Sequence, residues 1–147
     1  MIARYANLAQ LQPNLEHGAA LFRTTCSACH QFKGVGNAVG PDLATLSGKP
    51  LGHWLTAILD PNAALEDKFI SYTATLKNKT AHVGVVTVET PTTLTLHTVT
   101  GQPHTLLRRD LAKLESNNLS LMPNGLEAAL PPQAMADLLG YLRGRFN

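Results

Sequence analysis

The sequence predicts a mainly α fold with a small antiparallel β-sheet inserted at about residues 68–107, and two patterns predict it. Apolar residues recur at helical spacing near both ends of the chain. Between them runs a stretch of alternating threonines, valines and leucines broken by turn residues. With 147 residues, 44% of them hydrophobic and 15% charged, the chain has the size of one domain over 1–147 and the composition of a folded one. Aromatics make up only 5%, so Leu, Ala and Val, or something other than protein, must fill the core. A formal net charge of +2 is too small to suggest nucleic acid. No apolar run approaches the ~20 residues that span a bilayer. The start, Met1-Ile2-Ala3-Arg4, has no signal-peptide pattern.

The first helix is expected over residues 14–25. Asn14 suits the N-cap, Pro13 suits a start, and Leu15, Ala19, Leu21 and Phe22 share a face. Gly18 lies on nearly the same face as Phe22, which suggests close approach by another helix. A second helix over 52–59 buries Trp54, Leu55 and Ile58 and ends at Pro61-Asn62. Four strands follow, at 70–76, 81–89, 93–99 and 103–107. Lys77-Asn78-Lys79, Thr90-Pro91 and Gly101 supply the turns of a meander. Residues 108–114 read as a short helix. The last helix, 132–145, starts at Pro131-Pro132 and repeats Met135, Leu138, Leu139 and Leu142. Its Gly140 and Tyr141 could meet the first helix across the Gly18 face.

The only cysteines are Cys26 and Cys29, in the run Cys26-Ser27-Ala28-Cys29-His30. A redox dithiol belongs at a helix start after a strand, whereas the residues before Cys26 read as helical. A structural zinc site needs four ligands, and there is no second cysteine pair. Covalent attachment of c-type haem is the reading the spacing favours. Two thiols three residues apart reach the two vinyl-derived carbons on one porphyrin edge, and the next residue puts an imidazole under the iron. Such a histidine needs a partner to fix its tautomer. The carbonyl of Pro41, in Gly40-Pro41-Asp42-Leu43, is placed to accept its Nδ1–H.

A sixth ligand should lie far along the chain. Met1 is terminal and Met135 has helical spacing. Met122, in Ser120-Leu121-Met122-Pro123-Asn124-Gly125-Leu126, is held extended by Pro123 and can lay a thioether across a haem face. His17, His53, His82, His97 and His104 are rivals. His53, just before Trp54, is the best placed of them. Expected pocket walls are Phe22, Val35, Leu43, Leu46, Trp54, Leu55, Ile58, Leu121 and Leu139. Arg23, Lys33, Lys49 and Lys113 are candidates to surround an exposed edge, although solvated cations are the plainer reading.

These residues resemble a class I cytochrome c. The ordered set is closer to the haem-binding domain described in Planctomycetes and Verrucomicrobia, often fused to predicted membrane-bound or sugar dehydrogenases. The resemblance spans about residues 14–146. It rests on His17-Gly18-Ala19-Ala20-Leu21-Phe22, the cysteine motif, Gly40-Pro41-Asp42-Leu43, Ile58-Leu59-Asp60-Pro61-Asn62, the strand-rich insert, the Met122 loop and Asp137-Leu138-Leu139-Gly140-Tyr141-Leu142. That family usually has Asp-Gly in the first hairpin turn, where this chain has Asn78-Lys79. The resemblance implies thioethers at Cys26 and Cys29, axial bonds from His30 and Met122, and a class I cytochrome c helical fold.

The expected function is one-electron transfer through a single covalent haem c, as acceptor or relay for a dehydrogenase, and not catalysis. The alternative is a haem-based gas-binding or sensory module with a displaceable Met122. A peroxidase would need His53 or His82 above the iron, and no spacing selects either. The expected partner is a redox protein or a fused dehydrogenase domain, with a monomer favoured. Thioether attachment occurs outside the bacterial cytoplasm, so the expected location is the periplasm, with a signal or larger N-terminal region absent from the chain.

Overall fold

The computed structural model describes residues 2–63 and 65–144. The chain forms two compact units. One comprises Met1–Ala63 and Pro123–Asn147; the other, Ala64–Met122, lies between these segments in sequence.

The first unit is helical. Helix α1, Leu15–Leu21, is capped by Asn14, whose side chain accepts from the His17 amide at 3.1 Å. It continues into a π turn, Phe22–Cys26. Helix α2 spans Leu51–Leu59 and α3 spans Pro132–Arg143, with a proline opening its first turn. Residue 145, the expected end of α3, lies outside the described residues. α3 is buried nearly all round, from Ala134 to Gly140 and again at Leu142. It is therefore a central core helix, not a one-sided surface stripe.

The expected α1–α3 approach is observed. A Cβ on Gly18 would collide with the backbone oxygen of Asp137 and lie 2.8 Å from Tyr141 Cβ. Phe22, Phe32 and Tyr141 fill the neighbouring core with ring centroids 5.2–6.2 Å apart.

The second unit is a five-stranded antiparallel sheet in the order β4-β3-β2-β1-β5. Its strands are β1 Ile70–Leu76, β2 Ala81–Glu89, β3 Thr93–His97, β4 Pro103–Leu107 and β5 Leu111–Ser120. Ala74, Leu94, Leu96 and Leu106 form its buried cluster, ringed by Tyr72, Leu76, Val86, Leu111 and Leu114. The four-strand meander is as expected, except that β3 stops at His97.

The expected helix over 108–114 is wrong. Only Arg108–Asp110 make a helical turn, and β5 follows, paired with β1. The cause is a register shift between Thr75 and Leu76. Leu76 faces Leu111 and Thr75 faces Lys113, so Ala112 is extra. That bulge brings Leu111 and Leu114, three apart, to the same cluster and imitates helical spacing. With β5 the strands run to Ser120, well past residue 107. The fold is thus mixed helix and sheet, not mainly α.

Among the described residues no helix is long and apolar enough to cross a membrane.

Candidate functional site

The site is built where the π turn ends. The amides of Cys29 and His30 both donate to Cys26 O, at 3.1 and 2.9 Å, so the motif forms one tight turn. The chain then folds back on it. Val39 N and Gly40 N donate to Cys29 O at 3.0 and 2.7 Å, Asn37 N donates to Ser27 O at 3.0 Å, and Leu43 N donates to Gln31 O at 2.9 Å. Positive φ at Lys33, Gly34 and Gly36 makes this reversal possible. The result is a loop wrapped around one imidazole.

His30 Nδ1 lies 2.8 Å from Pro41 O, the contact expected from sequence. A carbonyl oxygen can only accept, so Nδ1 carries the proton and Nε2 keeps its lone pair. Burial pushes the His30 pKa down, and the Pro41 bond only partly opposes this. The ring is therefore neutral at neutral pH and ready to ligate. Gly40 is required beside it, because a Cβ there would lie 2.6 Å from His30 Cε1.

Both cysteines are half-buried. Burial, and secondarily the Cys29 thiol, pushes Cys26 up to about 12. Burial also raises Cys29. A redox dithiol depends on a lowered thiol pKa, so this environment argues against one. Among the described residues no group of three or more His, Cys, Asp or Glu could hold a metal ion such as zinc.

Leu43 is buried at the start of a short turn capped by Asp42, whose Oδ1 accepts from Ala44 N at 2.9 Å. Trp54 on α2 is 3% exposed. Its Nε1 is buried with no hydrogen-bond partner among the described residues. An orphaned indole N–H normally costs about 1–3 kcal/mol. It fits a pocket whose occupant brings an acceptor, as a haem propionate does. Two thiols on one turn and an imidazole with its lone pair free suit a haem bonded through sulfur.

Of the other expected wall residues, Phe22, Leu55, Ile58 and Leu139 are buried in this unit. Val35 is not a wall, being 45% exposed. Its amide and carbonyl pair with Phe32 in a tight turn that leaves the side chain outside. Leu121 and Met122 close the other unit in a bend after β5, where the Met122 amide donates to Ser120 Oγ at 3.0 Å. Lys33 lies over the rings of Phe32 and Tyr141, and Lys113 pairs with Glu115.

A cavity of about 740 Å³ in the helical unit is lined by Ala3, Thr56, Leu59, Asp60, Asn124 and Glu127, among others. Neither cysteine nor His30 lines it, so it is separate from the site.

One feature of this unit escaped the sequence reading. Asp137, 3% exposed, accepts from Asn14 N at 2.8 Å, from Gln133 Nε2 at 2.8 Å and from His17 Nδ1 at 2.7 Å. Burial raises its pKa, but these donors outweigh burial and hold the carboxyl below its ordinary range. The signal was there: a lone carboxylate inside the apolar run Met135-Ala136-Asp137-Leu138-Leu139.

Residues 15–75 match the family model for cytochrome c. This segment is less than half of the chain and includes Cys26, Cys29, His30, Pro41, Leu43 and Trp54. A cytochrome c of Arabidopsis thaliana is 46% identical over 43 residues, covering 29% of this chain and 38% of that protein. The chain therefore contains a cytochrome c-like segment and is a distant homologue of that protein.

Proposed function

We propose that the protein is a monohaem c-type cytochrome that carries single electrons. The observation that supports this most is the 2.8 Å bond from His30 Nδ1 to Pro41 O, directly after two thiols on one turn. It gives the imidazole the tautomer that an iron ligand needs. On this reading Cys26 and Cys29 would hold a haem c through thioethers and His30 Nε2 would ligate its iron, and the resemblance implies the Met122 sulfur as a second ligand. Bound there, the haem supplies a one-electron iron couple, at a potential raised by thioether ligation. The protein's part is to hold the ligand tautomer and exclude water. Buried Leu43, Leu55 and Ile58 provide low-dielectric walls that disfavour excess charge. Trp54 Nε1, buried without a partner, would be available to donate to a propionate.

The sheet is an insert in this haem domain, as in the Planctomycete and Verrucomicrobial domain that the ordered motifs resemble. That resemblance favours a dehydrogenase, fused or separate, as electron donor, and it favours the periplasm. The raised thiol pKa values argue against disulfide exchange as the role of these cysteines.

Met122→Ala in the haem-loaded protein tests the ligand set. The oxidised parent should show a weak near-infrared band from sulfur-to-iron charge transfer, and the variant should lose it. A band that persists in the variant would overturn Met122 as ligand.

A further inference from the structure

We propose that His82 and His104 form a second site, unrelated to the haem, that binds a late first-row divalent metal ion such as Zn²⁺. Registers place both on one face of the sheet. His82 lies opposite Ala74 and His104 opposite Leu96. Ala74 and Leu96 are fully buried in the apolar cluster, so the two histidines share that face. His104 is solvent-exposed and His82 half-buried, so the pair forms an accessible rim. The ring centroids are 4.9 Å apart with planes inclined at 38°.

The approach is built into the backbone. His82 and His104 lie on strands that both pair with β3 and not with each other. A Cβ on Gly84 would lie 2.5 Å from His97 O and 3.2 Å from Leu96 Cβ. Only glycine fits β2 this close to β3, two residues along the strand from His82. The other histidine of the sheet, His97, is engaged by Thr87 Oγ1 at 2.7 Å.

Neutral imidazole is the commonest protein ligand for such ions. Two nitrogens sharing a tetrahedral Zn²⁺ at about 2.0–2.1 Å each are separated by about 3.3 Å. Binding requires each ring to turn about its terminal torsion until one nitrogen of each reaches such a spacing. Among the described residues no third His, Cys, Asp or Glu joins the pair. Water therefore completes the coordination, which makes the site open and exchangeable, unlike a closed structural zinc site.

Calorimetric titration of Zn²⁺ into the haem-loaded full chain at pH 7.5 tests this without reading the haem. The expected result is one ion per chain, with His82→Ala and His104→Ala each weakening binding about tenfold or more. The double variant should bind no better than either single one. Far-UV circular dichroism checks folding, and His82→Asn and His104→Asn replace any alanine variant that fails to fold. Zn²⁺ should also raise the thermal midpoint of the parent and not that of the variants. The proposal is overturned if the parent binds no Zn²⁺, or if either folded single variant binds it as the parent does.

Discussion

The two units are held together by different devices. In the helical unit two backbones meet without intervening side chains, at Gly18 against Asp137, and one buried carboxylate ties α1 to α3. In the sheet unit a small leucine cluster does the work, and the polar groups lie in ladders and turns. The helical unit therefore depends on close approach at single points, whereas the sheet depends on buried volume. This difference also suits their proposed tasks. The helical unit presents one imidazole in a fixed tautomer, and that task needs sub-ångström positioning. The sheet presents surfaces and a rim of histidines.

Each contrast can be broken by one substitution. Gly18→Ala should have the largest effect. An alanine in a helix ordinarily stabilises by about 0.5–1 kcal/mol, but here its methyl meets a carbonyl oxygen. A net loss of about 3 kcal/mol is expected. Hydrogen exchange should show α1 and α3 deprotected while the β1–β2 amides stay protected. Unchanged protection in the helices would contradict the close-approach account.

Leu96→Ala should destabilise the other unit. It removes a fully buried side chain from the sheet cluster at a cost of about 2–3 kcal/mol, with the sheet amides exchanging faster and the His30 segment unaffected. Asp137→Ala comes next, with an expected loss of about 2 kcal/mol in urea unfolding, because the Asn14 amide and the Gln133 side chain lose their acceptor. Because folding lowers the Asp137 pKa, its stabilisation is fully present above the ordinary carboxyl value of about 3.9. It disappears as pH falls from there through the lower folded value. The variant should lose that part of the acid limb, visible as a flatter thermal midpoint against pH in that range.

The smallest effect concerns the first hairpin. Lys79 sits at φ 69°, where a non-glycine residue is strained by roughly 1 kcal/mol. Lys79→Gly should raise stability by about 0.5–1 kcal/mol, read in the same urea experiment.

Much of this was legible because the signals were local. The Asn14 cap, the Gly18 approach and the His30–Pro41 contact each rest on a residue type with one favoured use in that setting. The four-strand meander was legible from alternation and turn residues. β5 was not, because the bulge at Ala112 changed the apolar spacing from two to three, which is the spacing of a helix face. The Asp137 network was not read either. Its partners, Asn14, His17 and Gln133, are spread over 120 positions, and nothing local to any one of them announces the others. Val35 was misjudged because hydrophobicity says nothing about which side of a tight turn a residue occupies.

The central claim is that sulfur at Cys26 and Cys29 bonds this chain to a haem. Intact mass spectrometry of denatured protein, produced in a host with the c-type maturation machinery, tests it most directly. The account predicts a mass greater than the 15.8 kDa polypeptide by one haem, with the addition confined to the peptide that contains Cys26 and Cys29. A mass equal to that of the bare polypeptide would contradict it.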